Sequence, residues 1–230
     1  MGKTYLAAFD AAQIDAKRVL FVAHREEILL QAEESFLAIL PNKRVGRYTG
    51  KQKDEDSDLL FASVQTLGRN AHLERFSKTY FDYIVVDEFH HAAAGSYQRL
   101  LEHFQPIFLL GLTATPDRTD GSDILRLCDN NLVYRRDLFD GINENQLCPF
   151  SYYGIYDSEV DYEHIPWRNG RFDPDKLSTQ LATRSRAKHA LKEWQEKSQQ
   201  RTLAFCASRR HADYMADFFK TQGIQSASVH

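Results

Sequence analysis

The chain has 230 residues, of which 43% are hydrophobic and 27% are charged. Hydrophobic side chains occur along the whole length, which excludes wholesale disorder and leaves room for one large domain or two small ones. The formal net charge of −3 excludes a broadly basic surface. Apolar runs reach about six residues, far below the roughly 20 of a transmembrane helix, and no secretory leader opens the chain, so we expect no membrane partner.

The cysteines are few and far apart: Cys128, Cys148 and Cys206. An odd, sparse set argues against a disulfide scaffold and is typical of proteins in a reducing cytosol. We therefore expect a cytoplasmic protein.

Short apolar runs alternate with helical patterns in the first part of the chain. In chain order, the predicted helices and strands cover residues 5–15, 19–23, 26–40, 59–64, 83–86, 96–104 and 107–112. Strands that alternate with helices predict βαβ units, a parallel sheet and right-handed crossovers. The expected fold class is α/β.

The pattern changes after about residue 136. Residues 150–175 are rich in Tyr, Asp, Gly and Pro, which predicts irregular or hairpin structure. A helical pattern then returns from Arg184. It is followed by a predicted strand over 202–207, a helix over 209–222 that ends at Gly223, and a further strand over 224–230.

The chain begins with Gly2-Lys3-Thr4 in front of a predicted helix. In a phosphate-binding loop, backbone N–H groups and the helix N-terminus hold the phosphates, the Lys reaches the β- and γ-phosphates, and the Thr hydroxyl binds Mg²⁺. The earlier Gly of the full pattern does not occur in this sequence. Alone, these residues are equally consistent with a helix that begins at a Gly and carries an exposed Lys.

A strand that ends in adjacent carboxylates supplies the other half of a nucleotide site. Residues 81–88 read Phe-Asp-Tyr-Ile-Val-Val-Asp-Glu. Asp87 comes where a buried strand leaves the sheet, the edge at which ligands bind, and its carboxylate can hold Mg²⁺. Glu88 is placed to polarise a water for attack on the γ-phosphate. The alternative is a pair of ordinary strand-end carboxylates, which the upstream Gly-Lys-Thr disfavours.

Further motifs follow in order along the chain. They are His24-Arg25-Glu26, Ser63-Val-Gln65-Thr66-Leu67, Asp87-Glu88-Phe89-His90, Gly111-Leu-Thr113-Ala114-Thr115-Pro116 and Phe205-Cys-Ala-Ser208. This set resembles motif Ia, the adjoining backbone-contacting motif, the DExH box, motif III and motif IV of superfamily 2 helicases. Residues 82–118 and 147–150 are most similar to the restriction-enzyme helicase subunits. The resemblance covers nearly all of the chain.

The resemblance implies two RecA-like P-loop NTPase lobes, with ATP in the cleft between them and nucleic acid across both. It divides the chain into lobe 1 over 1–136, without its first strand and the first half of the phosphate loop, a connecting region over 137–183, and the start of lobe 2 over 184–230. It implies an ATP-dependent helicase or translocase with ATP and Mg²⁺ as cofactors. The implied partner is nucleic acid, DNA rather than RNA.

The family's residue roles carry over by position. The residues that would bind the ATP phosphates are Gly2, Lys3, Thr4 and Asp87. Mg²⁺ would be bound by Thr4 and Asp87. Glu88 would be the catalytic base, and His90 would link hydrolysis to motif III. The residues that would couple hydrolysis to nucleic acid are Thr113 and Thr115. The residues that would contact the nucleic acid are His24, Arg25, Thr49, Gly50, Gln65 and Thr66.

Motifs V and VI of the family, with the arginine fingers that stabilise transition-state charge, would lie beyond His230. We therefore expect these 230 residues alone to hydrolyse ATP weakly or not at all. Two alternatives stay open. One is the DNA-translocating motor subunit of a restriction-type nuclease. The other is a non-catalytic nucleic-acid-binding module that retains the fold, which the intact Lys3, Asp87, Glu88 and His90 disfavour.

The remaining candidate sites have simpler interpretations. His90, His91 and His103 lack the spacing of a zinc site, and no cysteine pair accompanies them. The segment 167–171, Trp-Arg-Asn-Gly-Arg, has the composition to stack on bases but is more typical of a solvated turn. The solvent face of a helix accounts better than a binding stripe for the cations Arg184, Arg186 and Lys188.

Overall fold

The computed structural model describes residues 2–114, 124–157, 160–168 and 170–230. The chain divides into two compact units, Met1–Gly141 and Ile142–His230. None of the helices in these described ranges is both long enough and apolar enough to cross a membrane.

A five-stranded sheet forms the centre of the first unit. Its strands are β1 (Val19–Ala23), β2 (Val45–Tyr48), β3 (Leu59–Ser63), β4 (Tyr83–Val86) and β5 (Phe108–Gly111). Their order is β2-β3-β1-β4-β5, and every neighbouring pair is parallel. The predicted parallel α/β architecture is confirmed. The sequence analysis missed β2, a short strand at the sheet edge whose burial alternates along its length.

Helices cover both faces of this sheet. They are α1 (Lys3–Gln13), α2 (Glu26–Ile39), α3 (Val64–Leu67), α4 (Asn70–Leu73) and α5 (Gly95–His103), with 3-10 turns at Phe89–His91 and Ile124–Cys128. A further helix, α6 (Leu138–Asn143), spans the boundary between the two units. Phe21, Phe61 and Val85 pack with α1 and α2 on one face. The residues just before them in each strand face the opposite cluster, which includes α5. Burial on both faces explains why the strands read as continuous apolar runs.

The second unit contains helices and one hairpin in its described part. The elements are β6 (Trp167–Arg168), β7 (Arg171–Phe172), α7 (Pro174–Leu181), α8 (Arg184–Lys197) and α9 (Arg209–Thr221). The prediction that α9 is followed by a helix-terminating glycine is confirmed, because Gly223 has a φ of +80°.

The predicted strands over 202–207 and 224–230 are wrong for this structure, which has no ladder there. Leu203 is 80% exposed and Phe205 is 91% exposed. A strand exists only through hydrogen bonds to a neighbour, and no strand in the described part of this unit pairs with either segment. Apolar content alone therefore did not produce a strand.

Candidate nucleotide and nucleic-acid site

The predicted site residues gather at one edge of the sheet. Each group directly follows a strand in the chain: Thr49 and Gly50 follow β2, Gln65 and Thr66 follow β3, His24 and Arg25 follow β1, Asp87 to His90 follow β4, and Thr113 follows β5. Because the strands are parallel, their carboxyl ends share an edge. The predicted nucleic-acid residues come after β2, β3 and β1, and the predicted hydrolysis residues come after β4 and β5. Thr115 lies outside the described residues.

The N-terminus of α1 lies within electrostatic range of Asp87. Gly2 precedes the helix with a φ of +89°, a left-handed conformation that favours glycine. Lys3 and Thr4 form the first turn, and the Lys3 charge acts to lower the pKa of Asp87. Lys3 and Asp87 are thus within electrostatic range of each other although they lie more than 80 residues apart in sequence. A helix N-terminus next to a cation favours an anion such as phosphate.

Asp87 is a buried carboxylate, only 8% exposed. Burial and the neighbouring Glu88 charge raise its pKa above the ordinary value. The Glu88 N–H donates to its Oδ1 at 2.9 Å, and this bond opposes the rise together with the Lys3 and His24 charges. Because the effect of burial is the largest, the ionised form of the Asp87 carboxylate is destabilised. A divalent cation bound to it would offset that cost. The oxygen donors Asp87 and Thr4 fit the preference of Mg²⁺.

Glu88, His90 and Thr113 form a polar cluster. His90 Nδ1 lies 3.2 Å from Glu88 Oε2 and 3.0 Å from Thr113 Oγ1. Nδ1 makes its hydrogen bond with the Thr113 hydroxyl, and Glu88 Oε2 lies within ion-pair distance of the same nitrogen. Glu88 itself has φ 51° and ψ 48°, a conformation that costs energy in a residue with a side chain. This left-handed conformation turns the chain after β4, and the His90 side chain reaches Thr113 after β5.

The residues after β1 and β3 are also joined. Gln65 Nε2 donates to the His24 carbonyl oxygen at 2.9 Å. Ser63 Oγ donates to Thr66 Oγ1 at 3.3 Å, so the buried Thr66 hydroxyl is already engaged inside the protein. Arg25 and Gln65 are exposed at the same edge. The exposed pair can reach a ligand directly, whereas Thr66 acts through its neighbours.

After β2, Thr49 is buried and Gly50 is exposed. The Lys51 N–H donates to Thr49 Oγ1 at 3.3 Å, and the Thr49 N–H donates to the Gln52 carbonyl at 2.8 Å. These bonds form a tight turn that presents Gly50. The turn offers backbone groups to a ligand, while the Thr49 hydroxyl is occupied.

Two further residues lie near the site: Tyr97, which the sequence analysis did not consider, and His91, which it considered only as a metal ligand and set aside. Tyr97 is buried in α5, and its hydroxyl has no partner among the described residues. Burial, followed by the charges of Asp87 and Glu88, raises the pKa of Tyr97 to about 12. The His91 ring contacts the His24 ring, with centroids 5.4 Å apart. No local sequence pattern distinguishes either residue from an ordinary helix or turn residue.

The lesser candidates lie in the second unit. Trp167 belongs to the β6–β7 hairpin and packs edge-on against Phe172 at 4.7 Å. Arg186 pairs with Asp157 at 2.6 Å, whereas Arg184 and Lys188 are exposed. Within the described residues, no group of three or more histidine, cysteine, aspartate or glutamate side chains is arranged to hold a metal ion.

The chain is similar in sequence to a restriction-enzyme family and to known helicases. The family model described as "Type III restriction enzyme, res subunit" matches residues 1–118. ATP-dependent helicase IRC3 of Saccharomyces cerevisiae is 31% identical over an alignment of 222 positions that covers 91% of this chain and 32% of the relative. Mitochondrial ATP-dependent helicase irc3 of Schizosaccharomyces pombe is 28% identical over 94% of this chain and 36% of its own length. The chain thus spans about a third of the length of these relatives.

A solved structure supports the fold. The crystal structure of the Hef helicase domain from Pyrococcus furiosus matches with a TM-score of 0.52 and 21% identity, over 96% of this chain and 49% of that chain. The parallel sheet with helices on both faces, and a ligand edge at its carboxyl ends, is a RecA-like α/β fold.

Proposed function

The chain belongs to the family of the type III restriction enzyme res subunit, and on that premise we propose that it is the ATP-hydrolysing core of a nucleic-acid helicase or translocase. One observation carries the proposal. The Glu88–His90–Thr113 cluster lies at the carboxyl edge of the sheet, beside Asp87 and on strands adjacent to those that carry the nucleic-acid candidates. This arrangement fits a site that hydrolyses a nucleotide and in which hydrolysis affects a neighbouring nucleic-acid-binding surface.

Nucleotide binding uses the α1 N-terminus and Asp87. The free N–H groups after Gly2 and the Lys3 ammonium hold the phosphates, and Thr4 and Asp87 provide oxygen ligands for Mg²⁺. When bound, Mg²⁺ neutralises phosphate charge. Lys3 counters the same negative charge from the protein side, as its lowering effect on the pKa of Asp87 indicates.

Hydrolysis uses the side chains after β4 and β5. Glu88 accepts a proton from the attacking water, and His90 holds the Glu88 carboxylate through Nδ1. The same Nδ1 contacts Thr113, so a change at the γ-phosphate side reaches the segment after β5. Thr115, further along this segment, is proposed to extend the coupling toward nucleic acid.

Nucleic-acid binding uses the β2, β3 and β1 ends. Movement along a strand requires contacts with sugar and phosphate, which carry no sequence information. Arg25 and Gln65 are exposed there, and the turn at Thr49 and Gly50 offers backbone groups, so a broadly basic surface is not needed. His24 and Thr66 hold these contacts in place. DNA is the proposed partner in preference to RNA.

The second unit is proposed to begin the second RecA-like lobe, with a connecting region over 137–183 and the lobe from residue 184. A cytoplasmic location is also proposed. Imaging of the tagged full-length polypeptide against mitochondrial and cytosolic markers tests it, because the name of the S. pombe relative places that protein in mitochondria.

The duplex-DNA motor of a restriction-type nuclease is a second candidate, and the description of the matching family favours it. A helicase separates strands, whereas such a motor displaces a bound third strand without opening the duplex. Parallel strand-separation and triplex-displacement assays on the full-length polypeptide distinguish the two functions.

ATP turnover tests the proposed function. We expect the full natural polypeptide that carries this chain to hydrolyse ATP faster when DNA is added, and the matched Glu88→Gln variant to bind ATP but lose turnover by at least about a hundredfold. A polypeptide that is folded and binds DNA but shows no turnover with single-stranded DNA, duplex DNA or RNA would be a non-catalytic binding module instead.

A further inference from the structure

The side chains of His24 and His91 are in direct contact across the ends of β1 and β4. Their ring centroids lie 5.4 Å apart and their planes are inclined by 71°, the edge-to-face arrangement that aromatic rings prefer. His24 belongs to the predicted nucleic-acid side of the edge. His91 has no assigned role, although it ends the turn that carries the hydrolysis residues.

On the hydrolysis side, His91 is tied to the Glu88 cluster through its neighbour. The His90 and His91 ring centroids are 4.2 Å apart, and both residues belong to the 3-10 turn Phe89–His91. His90 Nδ1 in turn contacts Glu88 Oε2 and Thr113 Oγ1. Because the turn is so short, a shift of the His90 ring moves the His91 ring with it.

On the nucleic-acid side, the backbone of His24 is held by a hydrogen bond, whereas the ring nitrogen Nδ1 is not. Its carbonyl oxygen accepts the Gln65 side-chain amide at 2.9 Å. Its Nδ1 is buried and has no hydrogen-bond partner among the described residues. Packing against His91 is therefore a main constraint on the ring orientation, and a displaced His91 changes the position of His24.

From these contacts we propose that His91 is a positioning residue that couples the nucleic-acid contacts after β1 and β3 to the hydrolysis residues after β4 and β5. The physical connection runs from Gln65 through His24, His91 and His90 to Glu88 and Thr113. This inference rests on the proposed motor function and adds the route by which nucleic acid changes the rate of hydrolysis. Coupling of this kind requires an element with two arrangements that both sites bias, and the proposal assigns this role to the Phe89–His91 turn.

The test is the ratio of ATP turnover with saturating DNA to turnover without it, measured on the full natural polypeptide. The ratio cancels a general loss of active protein. We expect His91→Ala to lower this ratio at least about fivefold, the lower end of typical coupling between sites. His91→Phe, which keeps a ring against His24, should restore most of it. His164→Ala removes an exposed histidine in the second unit and should leave the ratio at the unaltered value.

A double-variant cycle tests the contact itself. If His91 acts through His24, the combined His24→Ala and His91→Ala variant should have a ratio no lower than the worse single variant. Independent, multiplicative losses would overturn the proposal, as would an unchanged ratio in His91→Ala. Should His91→Ala fail to fold, His91→Gln, which removes the ring but stays polar, must show the same loss. An unaltered protein without any DNA stimulation would refute the motor function, whereas stimulation that survives in His91→Ala refutes only this inference.

Discussion

His90 Nδ1 lies 3.0 Å from Thr113 Oγ1, which joins the segment after β4 to the segment after its neighbour β5. The same nitrogen contacts Glu88 Oε2 at 3.2 Å. A single imidazole nitrogen thus contacts both the proposed catalytic carboxylate and a hydroxyl that follows the next strand. A change at Glu88 or at Thr113 must therefore alter the contact that His90 makes with the other residue.

The Thr113 hydroxyl can be removed with little change in shape. We expect Thr113→Val to lower DNA-stimulated ATP turnover by about tenfold, because the hydroxyl that hydrogen-bonds to His90 Nδ1 is lost. Thr113→Ser keeps the hydroxyl and should retain most of the activity. Steady-state turnover of the two variants is the measurement. Equal losses in both would mean that the methyl group, and not the hydroxyl, is what matters.

The left-handed backbone conformation of Glu88 predicts that glycine at this position is more stable than alanine, although either substitution abolishes hydrolysis. A left-handed conformation costs a residue with a side chain about 1–2 kcal/mol, and glycine avoids this cost. We expect Glu88→Gly to be more stable than Glu88→Ala by about 1 kcal/mol, although both variants lose hydrolysis. Chemical unfolding without nucleotide provides the comparison. A Glu88→Gly variant less stable than Glu88→Ala would show that the turn is not strained.

Burial of Asp87 predicts that its neutral analogue stabilises the free protein. Because its pKa is raised in the folded state, the folded form binds more protons above the ordinary value of 3.8, and stability falls as pH rises through the interval up to the folded pKa. Asp87→Asn should therefore raise the melting temperature at pH 7, and the gain should shrink on acidification.

The order of the two melting temperatures should reverse when ATP and Mg²⁺ are added. Only the protein with the unaltered Asp87 carboxylate can bind the ion and gain stability from it. Thermal melting at pH 5 and pH 7, with and without ATP and Mg²⁺, measures both effects. An Asp87→Asn variant that melts lower than the unaltered protein at pH 7 without ligand would contradict the burial argument.

Gly111 allows a close approach between β5 and the turn after β4. A Cβ atom added there would lie 2.6 Å from Cγ of the buried Phe89 ring, which is closer than two carbon atoms can approach without a shift. We expect Gly111→Ala to destabilise the first unit by about 1–3 kcal/mol and to displace the turn that carries His90. Gly154→Ala, where an added Cβ meets nothing within 4 Å, is the matched control and should change stability by less than about 0.5 kcal/mol.

Sequence reasoning worked best where a pattern has one structural meaning. The buried strands β1, β3 and β4 read as apolar runs because helices cover both faces of the sheet, and their ends located the candidate site. Strand β2 was missed because Val45-Gly-Arg-Tyr48 is only half apolar, as expected at a sheet edge. The apolar segment at 202–207 was wrongly predicted as a strand, because strand formation depends on a partner that composition does not reveal.

Contacts between distant residues were beyond the reach of sequence patterns. Nothing near His91 indicates that its ring meets His24, which is 67 positions away in the chain (91 − 24). The Tyr97 hydroxyl likewise lies near Asp87 only because α5 packs back onto the sheet. Such contacts follow from the right-handed return of helices over parallel strands, which fixes neighbours without fixing side-chain distances.

Movement on DNA is the most direct test of an ATP-driven motor. The full natural polypeptide should displace a fluorescent third strand or a complementary strand from DNA with ATP, but not with a non-hydrolysable analogue, and the Glu88→Gln variant should displace neither while still binding DNA. Displacement of either strand by the unaltered protein confirms the motor, and the identity of the strand separates helicase from duplex translocase. Absence of both activities in a polypeptide that hydrolyses ATP, or equal displacement by Glu88→Gln, would contradict it.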